Sequence, residues 1–205
     1  GITLFTGTFS FQLQAILKKF GEDMHSGDVY MTNDPFEGGT HTCDVALIRP
    51  LFDGGTLRAF AIAVAHWSEV GGSVAGSIAP NATEIYQEGI RFPGIRVCRD
   101  DELISDVVDL IRENVRLPTM CLGDLNAELA AVRIAEVRFC EIEQKYGAGI
   151  MDATFDYILE TSEQLSREAV AAMPDGRYRA EDLIDGDGIS DEQIPVCVEV
   201  RIAGE

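Results

Sequence analysis

His41, Asp44 and His66 are the residues of this 205-residue chain with the clearest capacity for chemistry. Two imidazoles and one carboxylate suit zinc, manganese or iron and leave coordination positions open for water or a substrate. His41 lies in the run Gly38-Gly39-Thr40-His41-Thr42-Cys43-Asp44, and His66 in Ala65-His66-Trp67-Ser68-Glu69. Between them, residues 45–52 and 57–65 are short, apolar and β-prone, joined by the hairpin signal Asp53-Gly54-Gly55-Thr56. A turn centred on Gly54-Gly55 requires antiparallel partners whose residue numbers sum to about 109 or 110. Asp44 then stands opposite or beside His66, with Cβ atoms roughly 4.5–5.5 Å apart. His41 is three positions from Asp44, which in a regular strand would face it away, but a turn at Gly38-Gly39 brings it back. The competing reading is two structural histidines with a strand-capping aspartate.

Other polar residues gather around this trio in sequence. Glu69, three residues after His66, is a candidate general base or a holder of bound water. Glu84, Glu88 and Arg91 recur at i, i+4 and i+7, as substrate contacts with Arg91 the carboxylate binder, or as a surface pair of Glu88 with Arg91. Cys43, between two proposed ligands, reads as a small buried residue; as a fourth ligand it would close the site and make the metal structural. Residues 70–81 are rich in Gly, Ser and Ala, a composition that lets backbone approach a ligand closely or serves as a flexible connector. An open metal position would polarise a carbonyl or phosphoryl oxygen and acidify bound water.

The elements that must position these groups follow from periodicity. Phe9, Leu13, Ile16, Leu17 and Phe20 mark an amphipathic helix ended by Gly21. Residues 27–32 read as a short strand entering the Asn33-Asp34-Pro35 turn. Ile104, Val107, Val108, Ile111 and Val115 mark a second helix that stops before Pro118. A stripe from Leu122 through Leu125, Leu129, Val132, Phe139 and Ile142 to Tyr146 marks a long third helix, expected to pack along its whole length and to end at Gly147. A fourth runs over residues 151–172 around Phe155, Ile158, Leu159, Leu165 and Ala169. Residues 177–184 and 194–202 read as two strands, the second alternating cleanly from Ile194 to Ile202; the acidic connector at 185–192 lacks calcium-loop spacing and reads as a turn. The expected fold class is α+β, a mixed or antiparallel sheet with segregated long helices and a C-terminal strand pair. Three regions are expected: 1–100 with the hairpin and metal site, 101–174 helical, and 175–205 the strand pair.

Composition narrows the partners. Sixteen Lys and Arg against 35 Asp and Glu leave a net charge of −19, which repels nucleic acid and anionic bilayers alike. The longest apolar run, residues 59–65, is far short of the roughly 20 needed to span a bilayer. Five scattered cysteines without a Cys-x-x-Cys pattern indicate neither a disulfide framework nor a zinc ribbon and fit a reducing cytosol, hence a cytoplasmic location. No P-loop, nucleophile elbow or dinucleotide fingerprint occurs. The chain begins at Gly1 without Met and stops at Glu205 directly after a strand pattern, which reads as a piece of something longer.

The ordered matches Gly27-Asp28-Val29, Asn33-Asp34-Pro35, Gly38-Gly39-Thr40-His41-x-x-Asp44, Ala65-His66 and Gly71-Gly72, then residues 82–91 (ATEIYQEGIR), Asn114-Val115-Arg116, Leu122-Gly123-Asp124-Leu125 and Tyr178-Arg179-Ala180-Glu181-Asp182, span nearly the whole chain. On these residues the sequence resembles the hydantoinase B/oxoprolinase family. The resemblance implies a subunit or domain of an enzyme that opens a small cyclic amide, such as a hydantoin or 5-oxoproline, at the expense of ATP, or of the related ketone carboxylases. It implies an oligomeric assembly with a hydantoinase A-like subunit that binds the ATP, and a divalent metal, zinc or manganese, mapping onto His41, Asp44 and His66. After the second histidine the family commonly shows His and then Asp, where this chain carries Trp67 and Glu69. The reading of another class is an acidic assembly module with a structural metal.

Overall fold

Asp53 and Thr56 pair across the two-residue Gly54-Gly55 turn, and the ladder that starts there positions the rest of the N-terminal part. A computed structural model describes residues 7–204. The chain is α+β and every strand pairing is antiparallel. In order, the elements are α1 (Phe9–Phe20), β1 (Val29–Thr32), β2 (Asp44–Asp53), β3 (Thr56–His66), β4 (Ile95–Arg99), β5 (Glu102–Leu103), α2 (Ser105–Asn114), α3 (Pro118–Tyr146), α4 (Ala148–Ala171), β6 (Gly176–Ile184) and β7 (Ile194–Ile202). They fall into two compact units, residues 1–138 and residues 139–205. Among the described residues no helix is long and apolar enough to cross a membrane.

The first unit is built on a five-stranded sheet in the order β3-β2-β1-β4-β5. In the hairpin the partner sum is 109 beside the turn, where Phe52 faces Leu57, and 110 beyond an irregularity at Leu51/Phe52, so that Asp44 faces His66. Strand β5 escapes the sequence pattern because two residues are too few to display an alternation. β2 is buried from Asp44 through Leu51, the signature of a strand covered on both faces. Ile48 and Tyr30, directly paired, turn to one face, where they meet Ile16 and Met24 with Leu13, Leu17 and Phe20 of α1. Arg49, next along β2, must point the other way, and its guanidinium reaches Glu136 of α3 (Nε to Oε2, 2.9 Å) and Asp101 (Nη1 to Oδ1, 2.8 Å). Helix α3 therefore covers the face opposite α1.

The apolar stripe of α3 is buried at Cys121, Leu125, Leu129 and Val132, then exposed: Ile134 by 61%, Val137 by 55%, Tyr146 by 53%. This corrects the expectation of packing along the whole helix. Twenty-nine residues extend about 43 Å at 1.5 Å per residue, whereas the longest strand of the sheet, 11 residues, runs only about 36 Å at about 3.3 Å per residue. Such a sheet cannot cover the stripe throughout. Leu129 itself is 2% exposed, and Leu129→Ala is expected to cost about 2–5 kcal/mol in urea titration. A loss below about 0.5 kcal/mol, the ordinary effect of a surface change, would show that α3 is not held to the sheet there.

In the second unit, Ile194, Val196, Val198 and Val200 share one face of the β6–β7 pair, as alternation requires, and stand 40–52% exposed. Phe155, Ile158, Leu159 and Leu165 of α4 are likewise exposed. The 185–192 connector is an acidic turn in which Asp187 Oδ1 accepts the N–H groups of Ile189 and Ser190, both at 2.8 Å.

Candidate metal centre

The backbone before β2 folds back on itself at Asp34, whose carboxylate accepts the Phe36 N–H (3.0 Å) and whose carbonyl accepts the Gly39 N–H (2.9 Å). Gly38 closes this bend at φ +93°, and a Cβ there would lie 2.5 Å from Phe11 Cβ. Only glycine combines that backbone angle with that approach. The chain then enters a tight turn at residues 41–44, closed by the Asp44 N–H donating to His41 O at 3.0 Å, and this turn, rather than the glycine bend alone, points His41 back at Asp44.

Asp44 sits at the centre, 2% exposed. His41 Nδ1–H donates to its Oδ2 and His66 Nδ1–H to its Oδ1, each at 2.7 Å. Thr40 Oγ1–H and the His41 backbone N–H also donate to Oδ2. Burial opposes ionisation of Asp44, but the hydrogen bonds from Thr40, His66 and His41 outweigh it and hold the carboxyl below its ordinary range. One donor atom from each of the three residues lies within 4.8 Å of the others. Two imidazoles around a carboxylate make a donor set for one divalent ion, and both rings remain accessible, with the His41 side chain 70% and that of His66 54% exposed. Among the described residues, only these three form such a group. Cys43 is outside it, buried, and its thiol is pushed up by burial and by Asp44.

A cavity of about 250 Å³ adjoins the histidines, with Cys43, Ser77, Ile78 and Glu88 on its wall. That is below the roughly 300–1,000 Å³ of sites for drug-sized ligands, a size for a small ring. The wall is fixed rather than loose. Ser77 Oγ accepts the Val70 N–H at 2.8 Å and donates to Gly71 O at 2.6 Å, which folds the Gly-rich loop onto itself. Thr42 Oγ1 donates to Glu88 O at 2.7 Å. Asn33, fully buried, donates through Nδ2 to Thr42 O (2.6 Å) and Ile90 O (2.8 Å) and accepts the Phe92 N–H (2.6 Å). One amide thus staples the histidine loop to the segment carrying Glu88.

The remaining sequence candidates disperse. Glu88 alone of the four lies on the cavity wall. Glu69 is buried outside it, and both its oxygens are engaged: Gly71 N–H and Arg116 Nη1 donate to Oε1, Arg116 N–H and Leu117 N–H to Oε2. So saturated a carboxylate has no acceptor free for substrate; it organises the loop, where Gly71 at φ +86° passes so near Asn114 that a Cβ would come 2.5 Å from its carbonyl oxygen. Arg116 completes the clamp by donating to Gly72 O and Val74 O. Glu84 caps the short 3-10 turn Ile85–Glu88 in a reciprocal capping box with Gln87. Arg91 pairs with Asp34 at 3.4 Å and lies over the Phe36 ring, rather than pairing with Glu88.

Several participants carried weaker sequence signals. Thr40 stood within the histidine motif, but a hydroxyl there has no spacing rule. Asn33 read as a turn former. Glu128 lies on the buried side of α3, three residues after Leu125 and four before Val132, and a carboxylate inside an apolar stripe is itself a signal.

Comparison with known proteins agrees with this architecture. The chain matches the hydantoinase B/oxoprolinase family over residues 1–205. It is 32% identical over 197 residues to the B component of a D-/L-hydantoinase from Pseudomonas sp. strain NS671, covering 94% of this chain and 33% of that one. It is 28% identical over 186 residues to the acetophenone carboxylase delta subunit of Aromatoleum aromaticum, covering 90% and 27%. The crystal structure of the ATP-dependent caprolactamase from Pseudomonas jessenii superposes with a TM-score of 0.89 at 27% identity, covering 97% of this chain and 34% of that one. The chain thus spans about a third of the length of these relatives. Whole-length agreement of sequence, together with a shared fold, establishes that the chain belongs to the hydantoinase B/oxoprolinase family.

Proposed function

We propose that this chain is the metal-bearing part of an ATP-dependent enzyme that opens the ring of a small cyclic amide. His41, Asp44 and His66 hold one divalent ion, zinc or manganese. The observation that carries this reading is their convergence within 4.8 Å beside a ring-sized cavity. When bound, the ion supplies Lewis acidity toward a carbonyl or phosphoryl oxygen. Before an ion is bound, Asp44 draws both imidazoles together, one at each carboxylate oxygen, and Thr40 orients Asp44. Glu88 presents an acceptor of the kind a ring N–H needs, while Cys43 and Ile78 give the ring an apolar wall. Glu69 and Arg116 act at one remove, by setting the loop that carries Ser77 and Ile78. ATP is held by a hydantoinase A-like partner, a reading supported by the likeness to a hydantoinase B component and to an ATP-dependent caprolactamase.

A second reading, a ketone carboxylase subunit using bicarbonate with the same metal centre, is favoured by the likeness to the acetophenone carboxylase delta subunit. The two separate when the complete subunit is combined with its ATP-binding partner, metal and ATP, and offered hydantoin, 5-oxoproline and caprolactam, or a ketone with bicarbonate. Ring opening of a cyclic amide, dependent on both ATP and partner, is expected. Carboxylation of the ketone with no cyclic amide turned over would replace the first reading by the second. Turnover by the 205-residue chain alone would remove the partner from the scheme.

A further inference from the structure

We propose that Glu128 is a positioning residue of the metal centre, acting on His66 through the indole of Trp67. The proposal rests on the reading of His41, Asp44 and His66 as ligands. Strand alternation that turns His66 toward Asp44 sends the next residue, Trp67, to the opposite side of the sheet, where α3 lies. There the indole is fully buried and its Nε1–H donates to Glu128 Oε2 at 2.7 Å. The backbone of Trp67 is tied as well, its N–H donating to Cys43 O at 2.8 Å. Trp67 therefore joins three things: the end of β3 that carries His66, the loop between His41 and Asp44, and the helix behind the sheet.

Trp67 is anchored at its backbone by Cys43 and at its indole by Glu128, so its position sets the separation between His66 and the His41–Asp44 loop. Packing alone does not explain the carboxylate. The neighbours of Glu128 on the buried side of α3 are Cys121, Leu125, Leu129 and Val132, an apolar set that a leucine would continue. Instead the site holds a carboxyl group with 4% exposure whose Oε1 has no hydrogen-bond partner, an arrangement that costs stability. What it provides is an acceptor for the one indole N–H of the chain, next to a metal ligand. Outer-shell groups of this kind orient ligands at a distance and tune affinity without touching the ion.

The test is zinc affinity on the full chain, measured by competition with a chromophoric chelator, alongside circular dichroism and the emission of Trp67, the single tryptophan. Glu128→Gln retains an acceptor for the indole and is expected to bind zinc nearly as tightly as wild type, with unchanged emission. Glu128→Leu is expected to weaken zinc about 10–100-fold, the range for loss of an outer-shell partner, with shifted emission and a retained dichroism spectrum. Should the leucine variant fail to fold, Trp67→Phe removes the same bond from the other side and is expected to lose as much; where both fold, the double variant should lose no more than either alone. Unchanged zinc affinity in folded Glu128→Leu or Trp67→Phe overturns the proposal, as does equal loss in Glu128→Gln. Absence of zinc uptake by the wild type would instead fell the metal reading on which it stands.

Discussion

Replacing His66 with alanine is expected to lower zinc affinity by more than about 100-fold, beyond the 10–100-fold that loss of a mere hydrogen-bond partner costs, while leaving stability within about 0.5 kcal/mol. The two effects separate because the ring is 54% exposed and its recorded bond is to Asp44. Its removal opens no internal cavity, since water takes its place. Asp44→Asn is expected to match the loss of affinity by a different route: the shape persists, but an amide cannot accept through both terminal atoms the bonds that the two imidazoles now make. With the aspartate gone, Thr40 and the His41 N–H also lose a charged acceptor, so this variant should be less stable than His66→Ala. Chelator competition and urea titration on the same preparations check both statements. A change in zinc affinity below about threefold in His66→Ala, far short of even an outer-shell effect, would remove this residue from the ligand set.

The convergence of Asp44 and His66 was legible because a hairpin is the most local of tertiary structures. A two-residue turn sets the register of every pair behind it, and the register decides which side chains meet. Asp44 opposite His66 follows from counting out from Gly54-Gly55. The return of His41 was legible only in part: the glycine pair marks a bend, but the turn that brings His41 to Asp44 lies at residues 41–44, where His41 O accepts the Asp44 N–H at 3.0 Å. Helix boundaries at Phe20 and Asn114 came equally close, each announced by a Gly or Pro just beyond.

What stayed hidden depends on contacts between distant segments. Glu69 has a spacing that suits a general base, yet its oxygens are claimed by Arg116 and Leu117, 47 and 48 residues further on. Asn33 reaches Ile90 and Phe92 across 57 and 59 residues. No periodicity encodes such pairings. The exposed half of the α3 stripe shows the complementary limit: an apolar period tells which face of a helix is to be covered, and not how much of it the sheet can reach.

Glu128→Gln is expected to stabilise the protein at neutral pH by about 3 kcal/mol and to remove a pH dependence that the wild type carries. Burial pushes the Glu128 carboxyl up from its ordinary 4.5 to about 8; the bond from Trp67 pulls the other way, and Asp124 adds to the rise. In the unfolded chain the group releases its proton above about pH 4.5, while in the folded protein it keeps it to about pH 8. Between those values the folded state binds more protons than the unfolded state, so stability falls as pH rises, at up to about 1.4 kcal/mol per pH unit. Glutamine copies the neutral acid: it accepts the Trp67 N–H and has nothing to ionise. Its advantage over wild type should therefore be near zero at pH 4.5, grow steadily through pH 7 and level off past pH 8. Urea titrations of both proteins across that interval measure the difference directly, and effects of other titrating groups cancel between them. A difference that stays constant with pH would mean that Glu128 ionises as an ordinary carboxylate, and that its pocket is far better solvated than its 4% exposure indicates.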